Sequence, residues 1–414
     1  MELGAAGLLW LSSFISLVNT IKVCNSLDDY SVFNIFERNC FDNPVVNQNI
    51  SEIIRSWPGF SAEEHYLITE DGYRILVERS FSKITQETPI IIVHGIAMSA
   101  LGWVNRGNIS LARLLGDLGY DVWMLNYRGS WYSKNHIILK PTDSNFWKFN
   151  INHLGVYDVR STVRMVNEIT NRQSIYIGYS MGATGFFIYS STYPEEAKRY
   201  VKGIITLAPV INYKDVKSIL KLSRYFWPFA RRLVYSLWHG EILPGYSVLL
   251  KPFLTNKQGI YFIQFFLNII FGDDFEQIDP LNFPQAMTQM LDTVGVELYT
   301  HYYQFYLTGE FRNYDYDIEG NMEVYGQPYP PTYNLTQIPV PMSIFLGAND
   351  WLATETNGKQ IYSEIQPSLR CGYDVVPFRK WSHLDFLIAK DLPKYLYKYM
   401  FNKIKEIDSG KCSP

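Results

Sequence analysis

At 414 residues, with 47% hydrophobic and 19% charged side chains, the chain has the composition of a globular protein able to bury a large core. Its formal net charge of -3 at pH 7 supplies no basic field for gripping phosphates, so nucleic acid is not expected as a partner. Aromatic residues reach 16%, enough for a broad apolar cavity or surface, although any single ring is more simply a core or amphipathic surface residue.

Residues 8–18 are apolar and close on Asn19 and Thr20, which reads as a secretory signal peptide over 1–20. Glu2 stands where a basic residue is usual. An uncleaved anchor is the alternative, although the run is shorter than the roughly 20 residues a bilayer span needs. Three sequons, at Asn49, Asn108 and Asn334, fit passage through the secretory pathway and are the glycosylation candidates. Cys24, Cys40, Cys371 and Cys412 lie near the chain ends and outside metal-ligand spacing, so no metal is expected. In an oxidising compartment they can form two bridges. Cys24 with Cys40 is one candidate, but four cysteines allow three pairings.

Next in the chain, Asp71-Gly72 separates two partly alternating runs over 65–68 and 74–77, a hairpin signal. Short apolar runs follow at 90–93, 121–125, 175–177 and 203–207, with helical spacing between them at 111–115 and 156–169. Near-continuous apolar strands alternating with helices predict an α/β fold around a mostly parallel, buried sheet. After Pro209 the alternation stops. Residues 210–338 read as helical and aromatic-rich, including 225–229 and 261–271, and strand-like text resumes at 340–346 and 374–376. This predicts a core in two parts, 21–209 and 339–414, interrupted by a cap or lid insertion over 210–338 that covers the strand ends. The run 261–271 contains Gln264 and Asn268 and is too short to span a bilayer, so a buried or interfacial cap helix is expected.

The sharpest local signal is Gly178-Tyr179-Ser180-Met181-Gly182, between a strand and a helical stretch, the context of a nucleophile elbow. It leaves the Ser180 hydroxyl at a helix N-terminus, where partial positive charge favours a developing anion. A serine needs a base, and in this arrangement the partners follow it in the order acid, then histidine. Of the histidines after Ser180, His239 and His301 fall in the insertion, while His383 follows the last strand. Asp350 follows the strand-like run ending at Gly347, where an orienting acid belongs, with Glu355 and Asp385 as competitors. Glu355 is expected to begin a helix and Asp385 to serve as a structural hydrogen-bonding residue. His94-Gly95-Ile96 after the first buried strand suggests backbone N–H groups of Ile96 and Met181 as oxyanion donors, with His94 itself structural. Asn126-Tyr127-Arg128-Gly129 is read as fold support rather than a site loop.

Taken together and in order, these motifs resemble the acid-lipase family, the group containing gastric lipase and lysosomal acid lipase. The resemblance rests on Thr69-Glu70-Asp71-Gly72-Tyr73, His94-Gly95, Gly119-Tyr120-Asp121-Val122-Trp123, Asn126-Tyr127-Arg128-Gly129 and Tyr157-Asp158. It continues through the elbow, Leu207-Ala208-Pro209, Gly347-Ala348-Asn349-Asp350 and His383-Leu384-Asp385-Phe386. It covers nearly all of the mature chain. It implies an α/β-hydrolase fold with a cap and lid over a deep hydrophobic site, and hydrolysis of acylglycerols or cholesteryl esters without a cofactor. The nucleophile is then Ser180, the acid Asp350, the base His383, and the oxyanion donors Ile96 and Met181. This chain departs from the family pattern at Tyr179 and Met181, where His and Gln are usual, at Leu125 in place of Gly, and at Ser130 in place of Asn. It also lacks the cysteines that the gastric enzyme carries in its cap.

The expected function is therefore a secreted or lysosomal lipase or esterase acting on lipid esters at a lipid–water interface through an acyl-enzyme. The alternatives are a small-ester carboxylesterase and a catalytically weak lipid-binding or storage protein on the same fold. No protein partner is legible.

Overall fold

The apolar runs of the sequence line up side by side in one sheet. The computed structural model describes residues 22–30, 39–84, 88–242 and 244–412, so the expected signal segment over 1–20 lies outside the described residues. The strands are β1 (Phe60–Ile68), β2 (Tyr73–Ser82), β3 (Pro89–Val93), β4 (Asp121–Asn126), β5 (Ser174–Tyr179), β6 (Val201–Leu207), β7 (Met342–Leu346) and β8 (Arg370–Val375). Their spatial order is β8-β7-β6-β5-β3-β4-β2-β1, with a two-residue strand, Asn135–His136, added beside β2. From β3 to β8 the neighbours pair in parallel. Only β2 runs antiparallel to its neighbours β1 and β4.

The near-continuous aliphatic strands are buried on both faces, as a parallel sheet between helices requires: β3, β4, β5 and β7 are enclosed at every residue. β1 alternates exposed and half-buried positions along an edge. The hairpin is longer than its turn signal indicated, pairing Phe60 with Ser82 at one end and Ile68 with Arg74 at the other. β7 starts at Met342 rather than Val340, because Pro341 has no N–H for the ladder. β8 starts at Arg370, earlier than the alternation showed. The helix expected over 156–169 opens instead with a π turn, Leu154–Val159, before the α-helix Arg160–Thr170. Asp158 in that turn binds the enclosed Arg128 at 2.6 Å, and Arg128 also binds Asp71 in the hairpin turn. Arg128 thus ties two elements together and does the supporting job expected of its loop.

Among the described residues between β6 and β7, no strand joins the large sheet. The intervening chain forms the helices Trp227–Trp238, Lys257–Phe271, Phe283–Gln289, Val296–Thr308 and Asp317–Tyr325, with one short ribbon of Glu241–Ile242 and Val294–Gly295. The helix Lys257–Phe271 turns Gln264 and Asn268 inward and leaves Tyr261, Phe262, Phe265 and Phe266 exposed. Among the described residues no helix is long and apolar enough to cross a membrane. The cysteines pair as Cys24–Cys40 and Cys371–Cys412, which selects one of the three pairings left open by sequence.

Candidate active site

The loops at the C-terminal ends of β5, β7 and β8 bring Ser180, Asp350 and His383 together. Ser180 stands between β5 and the helix Met181–Thr192 with φ 51° and ψ −113°, a backbone conformation that a non-glycine residue rarely adopts and that costs on the order of 1–3 kcal/mol. Its N–H donates to the Leu207 carbonyl of β6 at 2.9 Å, so the sheet itself pins the strained residue. A Cβ on Gly182 would sit 2.4 Å from the Val93 carbonyl oxygen, which explains why the elbow needs glycine there.

The three side chains form one hydrogen-bonded line. Ser180 Oγ lies 3.0 Å from His383 Nε2, and His383 Nδ1 lies 2.7 Å from Asp350 Oδ2. The other carboxylate oxygen, Oδ1, accepts the N–H groups of Leu352 and Ala353, each at 2.8 Å, so both oxygens of Asp350 have fixed work. With Asp350 accepting at Nδ1, the imidazole carries its proton there and presents a lone pair at Nε2 to the serine hydroxyl. All three side chains are no more than 3% exposed, so the site is closed.

His94 is enclosed, and burial lowers its pKa to about 4, which keeps the ring neutral. Its Nδ1 faces the Gly95 carbonyl at 2.8 Å and its Nε2 accepts the Tyr127 N–H at 3.2 Å, a structural role. A Cβ on Gly95 would lie 3.3 Å from the Ser180 Cβ, so the loop of Gly95 and Ile96 packs directly on the elbow. Met181 opens the following helix. Neither the Ile96 nor the Met181 N–H has a protein acceptor among the described residues.

The competing residues stand elsewhere. His239 is exposed and caps the helix Trp227–Trp238 in a left-handed conformation. His301 is buried against the Arg312 carbonyl at 3.0 Å, and burial lowers its pKa to about 3. Glu355 begins the helix Glu355–Glu364. Asp385 accepts the Ser382 N–H at 2.5 Å and does not touch the imidazole. The three sequon asparagines are all exposed.

Two neighbours of His383 were given no contact with it by the sequence, although Tyr179 stood out there as a departure from the family pattern. The Tyr179 hydroxyl donates to the His383 carbonyl at 2.9 Å, with the rings 5.2 Å apart. Phe271, the last residue of the insertion helix Lys257–Phe271, stacks on the imidazole at 5.8 Å and 7°, and its carbonyl accepts the His383 N–H at 3.2 Å. The insertion also pairs with the loop after β3: Met98 bridges Leu291, and the Asp292 N–H donates to the Ala97 carbonyl at 2.8 Å. Among the described residues no cluster of metal-ligating side chains is present.

A strand-turn-helix serine joined in that order to an acid and a histidine on later strands of a mostly parallel sheet has a matching family model. The model described as alpha/beta hydrolase fold matches residues 88–389, and one described as partial alpha/beta-hydrolase lipase region matches 50–107. The chain belongs to the α/β-hydrolase family, and within it to the acid lipases. It is 30% identical over 378 residues to human gastric triacylglycerol lipase, covering 88% of this chain and 92% of the relative. The same figures hold for the lysosomal acid lipase/cholesteryl ester hydrolase of Macaca fascicularis. Lipase 1 of Drosophila melanogaster is 30% identical over 357 residues, covering 85% and 79%. A crystal structure from Sulfolobus solfataricus shares the fold with a TM-score of 0.55 at 14% identity, covering 85% of this chain and 95% of that one.

Proposed function

We propose that this protein is a lipase that hydrolyses long-chain carboxylic esters, acylglycerols or cholesteryl esters, through Ser180, His383 and Asp350. The observation that carries the reading is the continuous line of contacts from Ser180 Oγ through both nitrogens of His383 to Asp350. In this mechanism Ser180 Oγ attacks the ester carbonyl while His383 Nε2 takes its proton, and Asp350 stabilises the imidazolium. The N–H groups of Ile96 and Met181 receive the oxyanion. Collapse returns the proton to the departing alcohol, and water activated by the same histidine releases the acid from Ser180.

The enclosed serine requires the 210–338 insertion to act as cap and lid, moving before a lipid can enter. Its exposed apolar side chains support an interfacial role: Tyr225, Phe229 and Leu249 are 77%, 72% and 68% exposed, and Tyr261, Phe262, Phe265 and Phe266 on Lys257–Phe271 are exposed as well. The two disulfides fit an oxidising compartment, so the protein passes through the secretory pathway to the lysosomal lumen or the cell exterior. Asn49, Asn108 and Asn334 are its glycan acceptors.

The test compares the secreted chain with Ser180→Ala on a long-chain acylglycerol emulsion from acidic to neutral pH, with a soluble short-chain ester as reference. Hydrolysis lost in the variant is the expected result. Equal hydrolysis by both forms removes Ser180 from the mechanism, preference for the short ester makes the protein a carboxylesterase, and inactivity of both leaves a lipid-binding role.

A further inference from the structure

Two acids that the proposed reaction does not use meet behind the histidine loop. Asp385 opens the short helix Asp385–Ile388, and its Oδ2 holds the N–H of Ser382, the residue immediately before His383. Asp274 arrives from the insertion, three residues past Phe271, with its Oδ1 accepting the N–H groups of Glu276 at 2.8 Å and Gln277 at 3.3 Å. The two side chains hydrogen-bond each other, and both residues are no more than 4% exposed. Among the described residues no N–H or hydroxyl donates to Asp274 Oδ2, which leaves the Asp385 carboxyl as its partner. Among the described residues no cation forms an ion pair with either acid, and Lys380 is engaged by Glu276 at 2.6 Å. Two enclosed carboxyl groups in contact cannot both be ionised, so a proton must lie between them.

We propose that Asp274 and Asp385 share one proton, and that this bridge clamps the end of the insertion helix to the histidine loop, making both acids positioning residues for His383. The inference rests on the reading of His383 as the base. The clamp lies where the insertion already grips that loop, through the Phe271 carbonyl on the His383 N–H and the stacked Phe271 ring. Loss of the proton leaves two facing carboxylates in an enclosed space, which repel and part the insertion from the loop.

The charged and titratable groups that face the pair leave this balance in place. Glu276 and Asp273 on the insertion add negative charge, which favours retention of the proton, and Lys380 on the histidine loop offsets part of it. Tyr179 beneath is kept neutral by burial. His383 lies two residues from Asp385, with its ring directed to Asp350 and Ser180. Burial, and next the Asp274 charge, raise Asp385 from 3.8 to about 8, and burial raises Asp274 as well. The folded protein therefore holds a proton that separated aspartates release. This contribution to stability is complete below about pH 4 and is lost as pH rises through about 8.

Asp274→Asn replaces the shared proton with a permanent amide donor to Asp385. The expected result is a ratio of kcat/KM at about pH 9 to that at about pH 6 at least tenfold larger than in the parent. The parent's Tm should also fall more steeply across that window than the variant's. Asp385→Asn makes the complementary bridge, carries the same expectation and stands in if the first variant fails to fold. Both readouts matching the parent overturn the proposal. A flattened Tm profile with an unchanged kcat/KM ratio establishes the shared proton and overturns its positioning role. The Tm comparison needs no catalysis, so it decides the bridge even if the hydrolase reading fails at Ser180.

Discussion

The sheet and the insertion between β6 and β7 bury their apolar side chains in different ways. In the sheet, β3, β4, β5 and β7 are enclosed on both faces and belong to one cluster that reaches the elbow and the histidine loop. The insertion sends Ile260, Phe283, Met287 and Phe305 into that same cluster and adds a small one of its own, Trp227, Val234 and Val296. Its helix Lys257–Phe271, however, which buries Ile260, Ile263, Gln264 and Asn268, leaves Tyr261, Phe262, Phe265 and Phe266 exposed. A soluble helix with no further partner would not leave four neighbouring aromatic side chains in solvent. The comparison separates two features: the sheet fixes the catalytic atoms in an enclosed frame, and the insertion carries the exposed aromatic residues on which the proposed interfacial role rests.

The division can be broken hardest at the acid. Asp350→Asn keeps the shape of the site but favours the wrong imidazole tautomer, and kcat should fall on the order of 10⁴-fold on soluble and emulsified esters alike. Charging the outer face should discriminate between substrates instead. Tyr225→Glu with Phe229→Glu is expected to lower hydrolysis of an emulsion by about tenfold and to leave a soluble short-chain ester unaffected, since the loss lies in interfacial binding. Equal losses on both substrates would mean that the outer face serves folding. The smallest effect is at the joint between the regions. Tyr179→Phe removes one hydrogen bond to the His383 carbonyl, worth about 1 kcal/mol, so kcat should drop about fivefold with KM nearly constant.

How much of this was legible in the sequence follows the same division. The elbow could be read because its turn restricts which residues fit beside Ser180, and Asp350 and His383 because each follows a recognisable strand. The buried strands announced themselves by composition, with errors confined to ends such as Val340, which Pro341 cuts off from the ladder. The π turn at Leu154–Val159 left no trace in apolar spacing, since one extra residue per turn shifts the pattern by less than the pattern's own width. Phe271, Asp274 and the Tyr179 hydroxyl were illegible for another reason. Their role depends on contacts with His383 or Asp385 across more than 100 positions of chain, as with the separation of 204 between Tyr179 and His383, and no local pattern encodes such a meeting. Of the cysteine pairing, Cys24 with Cys40 was legible as a candidate, but the choice among three pairings is decided by which residues the fold brings close.

That pairing has a consequence for how the molecule can change. One bridge fastens the segment ahead of the sheet, and the other joins β8 to Cys412, just past the final helix Lys398–Asp408, while residues 210–338 contain no cysteine. Closing a loop across a separation of 41 residues restricts the unfolded chain and leaves the contacts between insertion and histidine loop untouched. Under the proposed gating, durability and opening are thus independent variables: the bridges restrain the ends of the chain, and the insertion that would move carries none.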